Sequence, residues 1–306
     1  MRIRRDVSII GAGVVGTSLG YLLKKNGYKI VSIGSRTLAS AEKAREFIGE
    51  GRATDDVISA ASSSGIVFIT TPDDAIEEVC NKIAEKDGFQ KGAVVFHVSG
   101  ALPSTILITA RKKGAKIASL HPLQSLASVE EGIKNIPGSY FFMEGDKEAL
   151  SVAREIVNAF GGKEITLDVK KKVLYHAGAA VASNFLVATI GFAMELFETA
   201  GINREDALEA IKPLINGTIK NIYNLGIPKA LTGPISRGDK KVVEDHLKAI
   251  SKNSSEMLRL YSEIGKYTVK LGVEKGTLKE DEAKKILAMF NDYLKGKVPV
   301  NESSCY

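Results

Sequence analysis

Three histidines stand where proton chemistry could be used. His97 closes an apolar run in VVFHVSGALPS, His121 closes the next in IASLHPLQSL, and His176 lies near the start of an uncharged stretch in KKVLYHAGAAVASNFLVA. Imidazole titrates near neutral pH, so such a set suits acid–base work on a small molecule. Each also has a plainer reading. His97 supports the Ser99–Gly100 turn, His121 is stiffened by Pro122, and the small residues Ala177, Gly178, Ala179, Ala180 and Ala182 let another helix pack closely after His176. On a helix, His176 and Ser183 share a face, with Asn184 beside Ser183 and Lys172 one turn before His176. His176 is assigned as donor to the heteroatom that gains charge, aided by Asn184, with His121 as a further catalytic candidate. Gln124 and Ser183 are assigned to the substrate. Arg237, in LTGPISRGD, suits a substrate carboxylate or else pairs with Asp239. His246 reads as a helix-surface residue.

A second group of residues could hold a phosphorylated cofactor. Gly11, Gly13 and Gly16 in DVSIIGAGVVGTSLG fit GxGxxG between an apolar strand and a helix. The first glycine permits the tight turn, the second lets backbone approach a pyrophosphate, and the third lets helix pack on strand. Ala12, Val14 and Val15 fall in the same turn and first helical residues. The next strand ends in Gly34, Ser35, Arg36 and Thr37, with no acid to accept bonds from ribose hydroxyls. A hydroxyl and a guanidinium there favour a 2'-phosphate, so NADP is expected over NAD. Thr70, Thr71 and Pro72, at the end of a later strand, and Ser99 and Gly100 are placed along the cofactor, its nicotinamide near Thr71, Ser99 and His121. Capping of the helix in TTPDDAIEEV explains Thr71 and Pro72 equally well.

Such residues need elements to carry them. Short β-branched runs at 7–10, 30–33, 66–70, 94–98, 116–120, 140–143 and 164–167 alternate with helical patterns, the signature of a parallel sheet covered on both faces. After Asp168 only helical segments follow, at about 170–200, 204–215, 216–224, 240–270 and 280–295. Two domains are expected, 1–168 binding NADP and 169–306 serving substrate and dimerisation. The fold class is α/β: a doubly wound, mostly parallel sheet, then an all-α domain. VPVNESSCY reads as a loose tail.

With 306 residues, 44% of them hydrophobic, the chain can bury two cores. Its net charge of +6 is spread out, which fits anionic small molecules better than nucleic acid. Cys80 and Cys305 form no metal-binding spacing, so neither a structural metal nor a disulfide framework is expected, and the compartment is read as reducing and cytoplasmic. The basic opening imitates an export signal, but Asp6 and the glycine turn interrupt it. From Ala177 to Met194 no residue is charged, long enough for a membrane span; its glycines, alanines and polar residues read better as a buried central helix.

GAGVVGTSLG, HPLQSL, YHAGAAVASNFLVA and LTGPISRGD together resemble, across nearly the whole chain, NADP-dependent oxidoreductases with an N-terminal Rossmann domain and a helical C-terminal domain of the 6-phosphogluconate dehydrogenase-like kind. Ketopantoate reductase, pyrroline-carboxylate reductase, prephenate dehydrogenase and the 3-hydroxyisobutyrate-type enzymes belong to that group. The chain is most similar to a branch described as Rossmann-like oxidoreductases with a C-terminal domain of unknown function. The resemblance implies hydride transfer between NADPH and a small oxo or imino acid in the interdomain cleft, and a homodimer formed through the helical domains. In several relatives a lysine and an asparagine on the first long helix polarise the carbonyl; here His176 and Asn184 occupy the matching face, and histidine stands in for lysine. Two other functions stay open: an NADP(H)-sensing binding protein without turnover, and a reductase of another redox cofactor such as a deazaflavin.

Overall fold

The computed structural model describes residues 5–297. The tail from Val298, with Cys305, and most of the basic opening lie outside the described residues. The strands are β1 (Asp6–Ile10), β2 (Lys29–Gly34), β3 (Arg52–Thr54), β4 (Ile66–Ile69), β5 (Val94–His97), β6 (Lys116–Pro122), β7 (Tyr140–Gly145) and β8 (Lys163–Thr166). Between them run α1 (Val14–Lys25), α2 (Leu38–Ile48), α3 (Val57–Ser62), α4 (Asp73–Glu85), α5 (Ile108–Lys112), α6 (Val129–Asn135) and α7 (Lys147–Ala159). Helices only follow: α8 (Lys172–Thr199), α9 (Arg204–Leu225), α10 (Ile227–Ala230), α11 (Lys240–Ser251), α12 (Ser255–Lys275) and α13 (Glu280–Leu294).

The sheet order is β3-β2-β1-β4-β5-β6-β7-β8. All neighbours are parallel except β6 and β7, which makes the sheet mostly parallel. Residues alternate between two apolar layers, which is why the central strands read as unbroken apolar runs. Val7, Ile9, Ile66, Phe68 and Phe96 face a layer with Leu19, Leu23, Ile48 and Ile156, while Ile10, Val67, Ile69 and Val95 face one with Ile76, Ile83 and Leu107. Each such fully buried side chain contributes roughly 1.5–3 kcal/mol of transfer free energy. Phe68 and Phe96, paired in register, stack at 4.9 Å between ring centroids. β3, only three residues long, was too short for its pattern to be read from the sequence.

The chain divides into two compact units, residues 1–185 and 186–306. The last strand ends at Thr166, yet the division falls inside α8 rather than at 168, because the first turns of α8 pack on the sheet through Lys172, Tyr175 and His176. In the second unit, Val243, Leu247, Val269, Ile286 and Phe290 form one apolar cluster, and Met194, Ala207 and Ile211 another. α9 runs unbroken through Pro213 and Gly217, where two helices were expected. The expected helix at 240–270 is two, because Ser254 caps α12 by accepting from the Met257 N–H.

The buried central helix expected from the uncharged stretch is not what forms. The segment 169–199 is long and apolar enough to cross a membrane, but only 11% of its most apolar window is buried. Leu174 is 76% exposed and Val187 71%. Mean hydropathy shows that such a helix needs cover; it cannot show that this chain alone does not supply it.

Candidate functional site

The strand order reverses direction between β1 and β4, where open α/β sheets place their ligand crevice. There the Thr70 hydroxyl donates to the Gly11 carbonyl at 2.7 Å, and the Gly11 N–H donates to the Gly34 carbonyl at 2.8 Å, tying together the ends of three strands. Gly11 has φ +117°, and a side chain on it would lie 2.6 Å from the Thr70 backbone. A side chain on Gly16 would collide with the Gly11 carbonyl and the Thr70 hydroxyl. Gly13 differs: nothing lies within 4 Å of where its Cβ would be, and it starts α1 without a side-chain cap. The α1 N-terminus therefore faces open space, as an anion needs.

In front of Gly13 lies a cavity of about 720 Å³, lined by Gly11, Ala12, Gly13, Ser35, Arg36, Thr37, Thr70, Thr71 and Pro72 among others. The buried Thr71 hydroxyl oxygen has no partner among the described residues. Arg36 is exposed and makes no ion pair among them. Thr37 caps α2, accepting from the Ser40 N–H. Asp55, Asp74, Glu78 and Lys82 also line the cavity. Asp55 carried no signal in the sequence, because it arrives from the end of the short β3, not from β2. Val14, Val15 and Gly16 do not line the cavity; Gly16 is buried at the start of α1 and Val15 packs against the apolar layer. Thr71 does not cap α4, whose N-cap position is Pro72, with Asp73 and Asp74 in the first turn.

The second part of the site is a polar rim at the ends of β5 and β6. Ser99 is buried, and its hydroxyl donates to Asp73 at 2.7 Å and accepts from the N–H groups of Ala101 and Leu102. It is a turn-former whose hydroxyl is engaged within the turn and on Asp73. Its bond to Asp73 links the rim to the residue that follows Pro72 in the cavity wall. Gly100 is where the histidines converge: a side chain there would meet His176 Nδ1 at 2.5 Å and His121 Nε2 at 2.9 Å. The two imidazoles meet edge to face at 5.9 Å between centroids, and His176 Nδ1 is buried without a partner among the described residues. His97 takes the supporting role. It is fully buried, its Nδ1 accepts the Ser99 N–H at 3.2 Å, and burial, then the Lys172 charge, lower its pKa to about 3.

Beneath the histidines Lys172 is 2% exposed. Its ammonium donates to Glu144 at 3.0 Å and to the Ser119 hydroxyl. Glu144 also accepts from the Ser104 N–H at 2.7 Å and the Ser104 hydroxyl at 2.6 Å. Burial pushes the Lys172 pKa down, and Glu144 opposes that shift. Tyr175 donates or accepts at His121 Nδ1 over 2.7 Å. Glu144 and Tyr175 carried no signal in the sequence, since only the pairing of β6 with β7 brings Glu144 here and only the docking of α8 on β6 brings Tyr175 to His121. Ser183, Asn184 and Gln124 are exposed. Asn184 stands two turns beyond His176, about 12 Å by helical rise. Arg237 belongs to the second unit, exposed in a turn; Asp239 caps α11 instead of pairing with it. Among the described residues no group of three or more His, Cys, Asp or Glu could hold a metal ion.

Fold and site thus define a class, a Rossmann-like sheet domain with its glycine turn, followed by helices. Within that class, residues 1–122 match the model of a Rossmann-like domain and residues 139–268 that of a domain of unknown function (DUF2520), so the chain joins these two domains. No curated protein matches the chain. A Thermotoga maritima protein of solved structure is similar at 29% identity and TM-score 0.69, covering 88% of this chain and 99% of that one. A Bacteroides fragilis protein assigned, without demonstration, as an NADP oxidoreductase aligns at 22% identity and TM-score 0.71, covering 87% and 98%. The imine reductase of Myxococcus stipitatus, solved with NADP+, shares the fold at 16% identity and TM-score 0.59, covering 95% and 94%.

Proposed function

We propose that this chain is an NADP-dependent oxidoreductase that reduces a small oxo or imino acid at the rim formed by Gly100, His121 and His176. One observation carries the reading: a cavity with an open Gly13, an unpartnered Thr71 hydroxyl and an unpaired Arg36 is tied by the Ser99–Asp73 bond to two converging imidazoles. Gly11, Ala12 and Gly13 would hold the pyrophosphate, and Ser35 and Arg36 the 2'-phosphate. The nicotinamide, when bound, supplies a hydride. His176 donates toward the heteroatom of the substrate, and Gly100 lets both imidazoles come close. Asn184 and Gln124 are proposed to touch parts of the substrate away from the reacting carbon.

Asp55 in the cavity wall makes the choice between coenzymes rest on Arg36. Calorimetry is expected to find NADPH binding more tightly than NADH, and Arg36→Ala raising the NADPH Kd by roughly 10- to 100-fold, the loss of a charge-assisted pair, with NADH little changed. Uptake of neither coenzyme by the folded protein would sink the proposal.

The exposed stretch of α8 is proposed to be covered by a second copy of the chain. The alanines and glycines between Ala177 and Gly191 permit close approach of another helix. Leu214, Tyr223 and Leu225 on α9 add further exposed apolar surface.

A further inference from the structure

One phenol at the rim is committed to one imidazole nitrogen. The Tyr175 hydroxyl lies 2.7 Å from His121 Nδ1, and its ring stacks on Phe142 at 4.0 Å between centroids. Phe142 is the residue opposite His121 in the β6–β7 pairing. Strand register thus sets Phe142 against His121, the stack holds the phenol, and the phenol meets Nδ1. Burial raises the Tyr175 pKa, so the hydroxyl keeps its proton. That hydroxyl makes no other hydrogen bond among the described residues. As acceptor from an Nδ1–H it would leave its own proton without a protein partner, whereas as donor it satisfies both groups. Burial first, then the nearby His176 and Lys172, holds the His121 pKa at about 4, so the ring is neutral at pH 7. A neutral imidazole that accepts at Nδ1 carries its proton on Nε2, the nitrogen that faces Gly100 beside His176.

We propose that Tyr175 is a positioning residue whose hydroxyl fixes His121 as the Nε2–H tautomer, presenting that N–H at the Gly100 rim as hydrogen-bond donor to the heteroatom of the group being reduced. The donor part rests on the oxidoreductase reading; the tautomer does not. A neutral, preoriented N–H stabilises charge developing on the heteroatom and keeps its own proton throughout.

The test uses the full chain labelled with 15N-histidine. With four histidines, long-range 1H–15N spectra at pH 7 can be assigned by single His→Gln replacements. His246, whose Nδ1 lies 2.7 Å from the Tyr261 hydroxyl, serves as internal reference for a phenol-bound ring. His121 is expected to show a protonated Nε2 and a bare Nδ1 in the native protein. Tyr175→Phe, which keeps the stack on Phe142, should mix the two tautomers. It should also lower kcat for NADPH oxidation, with 2-oxobutyrate and 1-pyrroline-2-carboxylate as probes, by ~10-fold or more while NADPH affinity stays within about twofold. An Nδ1–H tautomer in the native protein, or a single unchanged tautomer in Tyr175→Phe, overturns the proposal. Should calorimetry find no NADPH uptake, the oxidoreductase reading and the donor role fall, and the tautomer alone still decides whether Tyr175 positions His121.

Discussion

At the scale of single residues, the histidines show how burial sets chemistry. His97 and His121 have pKa values near 3 and 4 against an ordinary 6.5. The unfolded chain takes up their protons as pH falls through 6.5, while the folded chain does not until pH nears the lower values. Their contribution to stability is therefore full above about pH 6.5 and is lost as the pH falls below it. Between pH 7 and 5, urea unfolding should show a loss on the order of 2 kcal/mol for each histidine, and His97→Gln should remove roughly half the slope. A slope unchanged in that variant would mean that His97 protonates in the folded protein. The histidines and the glycine turn were legible in the sequence because strand ends and tight turns leave local signatures. Tyr175, Glu144 and Asp55 were not, since Glu144 and Asp55 reach the site through strand pairing and Tyr175 through the docking of α8 on the sheet.

At the scale of elements, the question is what docks the start of α8 on the sheet. Lys172 joins it to Glu144 on β7 and Ser119 on β6, and Glu144 in turn holds Ser104. Removing one partner of a buried pair leaves an uncompensated charge, so Lys172→Met is expected to cost about 3–5 kcal/mol in urea unfolding. Hydrogen exchange should show the first turn of α8 losing protection in the same variant. A cost below ~1 kcal/mol would assign the docking to Tyr175 and Phe142 instead. The alternating strands and helices of the sheet domain were readable from apolar periodicity. The reversal at β7 was not, because the run Tyr140–Met143 marks a strand without stating the direction in which it pairs with β6.

At the scale of the whole molecule, an apolar helix this long with so little cover calls for a partner. Sedimentation equilibrium is expected to find two copies in the assembly at micromolar concentration, as obligate, hydrophobic interfaces allow. Val187→Glu, on the exposed face, should yield folded monomers; a native chain that stays monomeric would rule out the proposed dimer. The compact units at 1–185 and 186–306 share this helix, which explains why the strand-to-helix transition after Thr166 did not mark their division.

By itself the sequence determined the glycine turn, the alternation of strands and helices followed by helices alone, the apolar layers and the imidazoles at the strand ends. These depend on backbone conformation and periodicity within a few residues. Only the tertiary structure decided that Ser99 is engaged in a turn, that Gly100 separates two histidines, that Lys172 is paired underground with Glu144, and that α8 lies bare. Each of those is a meeting of residues far apart in the chain, and such meetings are chosen by strand register and packing, which no short stretch of sequence encodes.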